Sequence, residues 1–148
     1  MWPMGYRLIN DTTIDRLREF IEMLNEESEN GSVIVVEGKR DVEALSRAGY
    51  NGNITVFNHF KGIIDFVDNH YDLGRKIILL LDMDRTGKYL TRKLFTQLQS
   101  KGNNVSLFYK KTLAKITSGK VRHVEDLITY VPHLSGITGS RKDLYFYI

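Results

Sequence analysis

Continuous apolar runs and stretches with helical spacing alternate along this chain. Val33–Glu37 and Ile77–Leu81 are nearly unbroken apolar segments, the pattern of strands buried on both faces. Ile54–Asn58 and Val105–Tyr109 read as two further strands. Ile14, Leu17, Ile21 and Leu24 recur at helical spacing and predict a helix over 12–28, capped by Asp11 or Thr12 and stopped at Asn30-Gly31. A short helix over about 41–48 follows the first strand. Another carries Ile63, Phe66 and Val67 inward and runs to about Tyr71. Leu90, Leu94 and Leu98 form the buried stripe of a helix over 86–100. Val124, Leu127, Ile128 and Val131 share one face of a last helix over 123–131, which Pro132 closes. Between the fourth strand and that helix lies a basic loop, 110–122, and the aromatic end Leu144–Ile148 is expected to add an edge strand or a partner contact.

Strand–helix alternation repeated four times predicts an α/β fold, a mainly parallel four-stranded sheet with helices on both faces. A chain of 148 residues is expected to be one domain, 1–148, with its core over about 32–132, the helix 12–28 as a cover and 133–148 as a tail.

In such sheets, active groups collect beyond the carboxyl ends of the strands, and here those ends carry acids. Ile77–Leu81 delivers Asp82 and Asp84, one residue apart, so strand alternation aims both carboxylates the same way. Arg85-Thr86-Gly87 then turns the chain into a helix, whose free amides face the acids. Paired carboxylates on a rigid strand end suit a hard, oxygen-seeking cation such as Mg²⁺, with Mn²⁺ as a substitute. The alternative is that one aspartate caps the helix and the other is solvated. Val33–Glu37 also ends in a carboxylate, followed by Gly38, which allows a tight turn, and by Lys39 and Arg40, which suit phosphate. Asp41 falls where the next helix begins and reads as its N-cap. Asn58 and Lys61, at another strand end, are lesser candidates for substrate contact, and His59 reads as polar surface. Glu125 and Asp126 lie in the first turn of the last helix, where acids serve either the helix dipole or a metal.

Charge changes the picture. The net charge is only +3, but residues 1–31 hold three arginines and seven acids, while residues 73–122 hold twelve Lys/Arg and two acids, Asp82 and Asp84. A basic third of the chain whose only carboxylates sit together describes a polyanion surface around a metal site. Lys88, Arg92, Lys110 and Lys111, with Arg85, are the candidate phosphate contacts. Cysteine is absent, which removes disulfides, zinc ribbons and thiol chemistry. No apolar run reaches membrane-spanning length, so the expectation is a cytoplasmic protein with no membrane partner.

Two motifs, VIVVEGKRD with Glu37 and Gly38 and LLLDMDRTG with Asp82, Asp84 and Gly87, stand about 45 residues apart with one strand and two helices between them. In this arrangement the chain resembles the Toprim domain, a Rossmann-like fold found in topoisomerases, bacterial-type primases, some nucleases, recombination mediators and a ribonuclease that matures 5S ribosomal RNA. The resemblance covers about residues 32–132. It implies Glu37 as general acid/base near the scissile phosphate, and Asp82 and Asp84 as holders of Mg²⁺; three strand-end carboxylates in a basic region predict that Glu37 converges with them on one cation site. EGKRD is most similar to the ribosomal-RNA maturase and to small stand-alone Toprim proteins. Type IA topoisomerases carry glutamates where this chain has Thr86 and Lys88, which weakens the case for a second metal and suggests a phosphate contact for Lys88, with Glu125 or Asp126 as a partial replacement for the acids. The chain has no room for a topoisomerase's strand-passage gate and no cysteines for a primase's zinc module. What remains is a metal-dependent protein acting on RNA or DNA, by phosphodiester cleavage or as a binding module in an RNA-processing or DNA-repair assembly with protein partners.

Overall fold

The computed structural model describes residues 11–70 and 75–134. Tyr71, at the expected end of one helix, and the aromatic C-terminal run lie outside the described residues. Four strands, β1 (Val33–Val36), β2 (Ile54–Val56), β3 (Lys76–Leu79) and β4 (Asn104–Ser106), form an all-parallel sheet in the order β2-β1-β3-β4. The helices are α1 (Asp11–Glu29), α2 (Lys39–Arg47), α3 (Ile63–His70), α4 (Arg85–Ser100) and α5 (Phe108–Ile116), with a short 3-10 turn at Phe57–His59, where the second strand was expected to continue to Asn58, and a 3-10 helix at Val124–Tyr130.

The two central strands are buried on both faces, as their unbroken apolar runs require. Ile34, Val36, Ile78 and Leu80 pack into one core with residues of α1, α2, α5 and the 3-10 helix. Val35, Ile77, Leu79 and Leu81 face the opposite way, into a second core with Phe66 and Val67 of α3 and Leu94 and Leu98 of α4. Alternate residues of one strand thus serve two layers of helices. The strand order reverses between β1 and β3: the chain leaves β1 towards β2 and later returns to β1's other side. That reversal opens a crevice beyond the carboxyl ends of β1 and β3, the topological switch point at which open parallel sheets bind ligands.

Three further expectations are corrected. β4 ends at Ser106, and most of the basic segment expected as a loop is helix α5. Tyr109 and Leu113, one helical turn apart, are its buried stripe, and Tyr109 meets Phe20 of α1 edge to face at 5.9 Å. Val105, Leu107 and Tyr109 alternate like a strand in sequence, but contact with α1 decides for the helix. The last expected helix is a 3-10 helix, and Pro132 does not close it. Helical backbone continues over 131–134, where proline falls in the first turn and its missing N–H costs nothing. Gly38 makes no tight turn: it is extended at φ −141° and precedes α2 directly.

Glu27 joins elements distant in sequence. Its carboxylate accepts from Lys76 Nζ at 2.6 Å, from Tyr109 Oη at 2.8 Å and from Ser32 Oγ at 3.0 Å, tying α1 to β3 and α5. Burial pushes Glu27 up, but hydrogen bonds from Lys76, Tyr109 and Ser32 outweigh it and hold the carboxyl below its ordinary value. Glu27→Ala is expected to cost about 1–3 kcal/mol, because Lys76 and the buried Tyr109 hydroxyl lose their acceptor. A carboxyl with a lowered folded pKa stabilises the fold above its unfolded value and loses that contribution as pH falls through the folded one. Urea melts of wild type and Glu27→Ala should therefore differ at pH 7 and converge on acidification; an equal gap at both ends would count against this role.

Candidate metal centre and nucleic-acid interface

Leu80 and Leu81 extend the buried run past the last ladder residue of β3, with the Leu80 amide still donating to Val35 O at 2.8 Å. The chain then enters α4 through Asp82, Met83 and Asp84. Asp84 is the N-cap of α4, accepting the Gly87 N–H at 2.8 Å through Oδ1. Gly87 is sterically required there, since a Cβ on it would lie 2.0 Å from the Asp82 carbonyl oxygen. Asp84 therefore does cap the helix, but Asp82 is not merely solvated. Its Oδ2 lies 3.1 Å from His123 Nδ1, and its Oδ1 takes the Val124 N–H at 3.4 Å. Asp84 Oδ2 faces the same His123 nitrogen at 3.7 Å. The two aspartates converge beyond the sheet through the helix cap and a shared imidazole, not through strand alternation.

Asp82, Asp84 and His123 each offer a ligand atom within 4.8 Å of the others. Two carboxylate oxygens and one imidazole nitrogen fit a divalent cation. His123 was not singled out by sequence: it stands far from the DxD motif, at no recognised ligand spacing. It arrives because the Arg122 carbonyl accepts the Met83 N–H at 2.6 Å, laying residues 122–124 alongside 82–83. Its hydrogen bond to Asp82 raises the imidazole's pKa.

Glu37 sits just past β1 in a small cavity of about 230 Å³ that it shares with Asp82, Lys39, Arg40, Asn58 and Glu125. Its Oε1 is buried and has no hydrogen-bond partner among the described residues. Burial first, then the charges of Asp82, Asp84 and Asp41, push its carboxyl above the ordinary value, against a hydrogen bond from the Asp82 amide. A buried, unpartnered oxygen facing other acids is the environment of a carboxyl that awaits a cation or a proton.

Asp41, expected as an N-cap, is the third residue of α2 and is buried at 5 % exposure. It accepts the Gly38 N–H at 3.0 Å and the Glu125 N–H at 3.0 Å, so it closes the start of α2 and fastens it to the 3-10 helix. Burial holds its carboxyl above the ordinary value. Asp126 accepts the His123 N–H at 3.3 Å and serves the start of the 3-10 helix. Glu125 lies 3.9 Å from exposed Arg40. Neither belongs to the cluster formed with His123.

The basic candidates fall into groups around the acids. Lys39 and Arg40 rim the Glu37 cavity. Lys88, Arg92, Lys110 and Lys111 line a larger hollow between α4 and α5, joined by Arg122 from the end of the basic segment 110–122. Lys110 reaches back to the acids, donating to Thr91 Oγ1 at 2.8 Å and to the Asp82 carbonyl at 3.2 Å. Arg85 opens α4 and is exposed. Lys61 is exposed before α3, its amide bound to Asp65, and lines neither cavity. No helix among the described residues is long and apolar enough to cross a membrane.

Known proteins resemble this chain in sequence and fold. A Toprim domain profile matches residues 31–109. A UPF0292 protein of Methanosarcina barkeri is 36% identical over 132 residues, covering 88% of this chain and 92% of that one. A UPF0292 protein of Archaeoglobus fulgidus is 33% identical over 80% of this chain and 92% of its own. A solved structure of a protein from Aquifex aeolicus superposes with a TM-score of 0.63 at 32% identity, covering 74% of this chain and 95% of that one. With acids closing both central strands, a glycine that only the DxD turn explains, and these relatives, the chain belongs to the Toprim-domain family.

Proposed function

We propose that this protein cleaves phosphodiester bonds in RNA or DNA with a divalent cation held by Asp82, Asp84 and His123, and with Glu37 as the proton carrier. The observation that carries this is the buried, unpartnered Glu37 Oε1 beside the acids of the switch-point crevice. When bound, the cation would neutralise charge developing on a phosphate and help form the nucleophile. Glu37, on the end of a rigid central strand, moves a proton at its buried oxygen. Lys39 and Arg40 on one side and Lys88, Arg92 and Lys110 on the other hold the phosphates of the strand. Mg²⁺ is the expected ion from the carboxylates alone, but the imidazole of His123 tilts the set towards Mn²⁺, which accepts nitrogen more readily.

The test is incubation of labelled RNA and DNA with the protein, with and without Mg²⁺ or Mn²⁺. Cleavage that needs the metal and persists across preparations supports the reading. Binding without cleavage would leave a nucleic-acid-binding module. The metal site has a separate readout. Saturating Mn²⁺ should raise the melting temperature, since a ligand at one hundred times its Kd adds about 2.7 kcal/mol to the native state. His123→Ala should shrink the Mn²⁺ shift more than the Mg²⁺ shift. Equal shifts in wild type and variant would remove His123 from the ligand set.

A further inference from the structure

The hollow between α4 and α5 has a volume of about 610 Å³, within the ~300–1,000 Å³ of small-ligand sites. Its rim is made of Lys88, Arg92, Lys110, Lys111 and Arg122, and no acid among the described residues lines it. None of these five cations forms an ion pair with another described residue. Its remaining surface is largely apolar, with Met83, Phe95, Leu107 and Ala114. A surface that only tracks phosphates has no use for such a lining. A base with its phosphate needs both: a flat apolar wall and cations around it.

Position fixes the relation to the metal centre. Met83 lines the hollow, while its chain neighbours Asp82 and Asp84 form the acid cluster. Arg122 lines the hollow, while its neighbour His123 completes that cluster. The two sites are therefore back to back on the same pair of backbone segments, which the Met83–Arg122 hydrogen bond joins. Lys110 spans them, since it both lines the hollow and bonds the Asp82 carbonyl.

We propose that this hollow receives the base of one unpaired nucleotide in the strand whose phosphate lies at the metal centre, making the protein selective for single-stranded or frayed nucleic acid. The inference rests on the proposed function and adds the form of its substrate. A stacked, paired base cannot enter a pocket without leaving its duplex, a cost of a few kcal/mol that an unpaired base does not bear. Phe95 is the aromatic wall available for stacking.

The experiment measures fluorescence anisotropy of the full chain with a labelled single strand and with the duplex of the same sequence. Loss of one stacked base corresponds to roughly tenfold or more in affinity, so the single strand should bind at least about tenfold tighter. Ala114→Trp, which fills the hollow from α5, should abolish that preference and leave salt-dependent duplex binding in place. Should that variant not fold, wild type with 2-aminopurine scanned along the strand gives the same answer: one register should show a distinct emission change. Equal affinity for both forms, no effect of the filled pocket, or no distinctive register would overturn the inference while leaving the proposed function standing. A nucleoside monophosphate that binds the hollow without competing with the strand would also overturn it, in favour of a free-nucleotide site. Absence of binding to any nucleic acid would instead bring down the proposed function.

Discussion

Glu37→Gln is expected to lower metal-dependent cleavage by at least ~10²-fold, within the ~10²–10⁴-fold that a positioned general acid or base contributes. The variant should fold, because the glutamine carbonyl can still accept the Asp82 amide hydrogen bond that Glu37 takes. Its affinity for nucleic acid should hold, since the substitution keeps the size of the side chain and removes none of the cations, neither Lys39 and Arg40 beside it nor those of the α4–α5 hollow. A second readout separates chemistry from contamination. Burial, with Asp82 and Asp84 nearby, raises the folded pKa of Glu37. The folded protein therefore keeps a proton that the unfolded chain releases, and wild type without metal loses stability as pH rises from the ordinary carboxylate value through the raised one. Glutamine has no such proton, so the variant should gain on wild type over that window in urea melts. Identical trace cleavage by both proteins would mark it as contaminating nuclease and leave a binding module.

Gly87→Ala is expected to be among the most damaging single substitutions in the chain. Alanine would gain about 1 kcal/mol of helix propensity inside α4. Against that, its Cβ would stand 2.0 Å from Asp82 O and 2.5 Å from Asp82 C, backbone atoms that cannot step aside alone. Overpacking typically costs ~1–3 kcal/mol and sometimes more, and a backbone clash belongs at the upper end. The start of α4 must shift, taking with it the Asp84 cap and the Asp82–His123 contact. Thermal melts should show a large loss, or no folded protein, and any folded fraction should show no Mn²⁺ shift. Gly38→Ala is the control: a Cβ there meets only Asn58 Nδ2, at 3.6 Å, so the fold should tolerate it. A Gly87→Ala protein as stable as Gly38→Ala would refute the steric account.

Which parts of this molecule could be read in advance follows from the range of the interactions that set them. The central strands were legible because burial on both faces leaves unbroken apolar runs, and the acids at their ends mark where burial stops. Helix α5 was not, because Val105, Leu107 and Tyr109 satisfy a strand period locally. The competing signal, Tyr109, Leu113 and Ile116 at helical spacing, was present in the basic segment but needed α1 to decide it. Asp41 is three positions further into the helix than an N-cap because Gly38 takes that place and, with no side chain to cap, leaves the third helical residue to reach back to its amide. His123 carries no local signal and Arg122 only its charge within the basic segment, for their place is set by a hydrogen bond from Met83, far back in the chain.

That late return of the chain has a consequence for biosynthesis. A nascent polypeptide that has emerged as far as Ser106 already holds all four strands, Glu37, Asp82 and Asp84. It still lacks His123, whose nitrogen faces both aspartates, and the amides of Val124 and Glu125, which reach acids 42 and 84 residues earlier. Those contacts close long loops in the crevice and can form only after residues 123–125 have been made. The ribosome thus delivers a sheet with a cluster of mutually repelling carboxylates first, and the groups that complete it last. The crevice is therefore completed after the scaffold that carries it, and its acids wait for the end of the chain before they gain their partners.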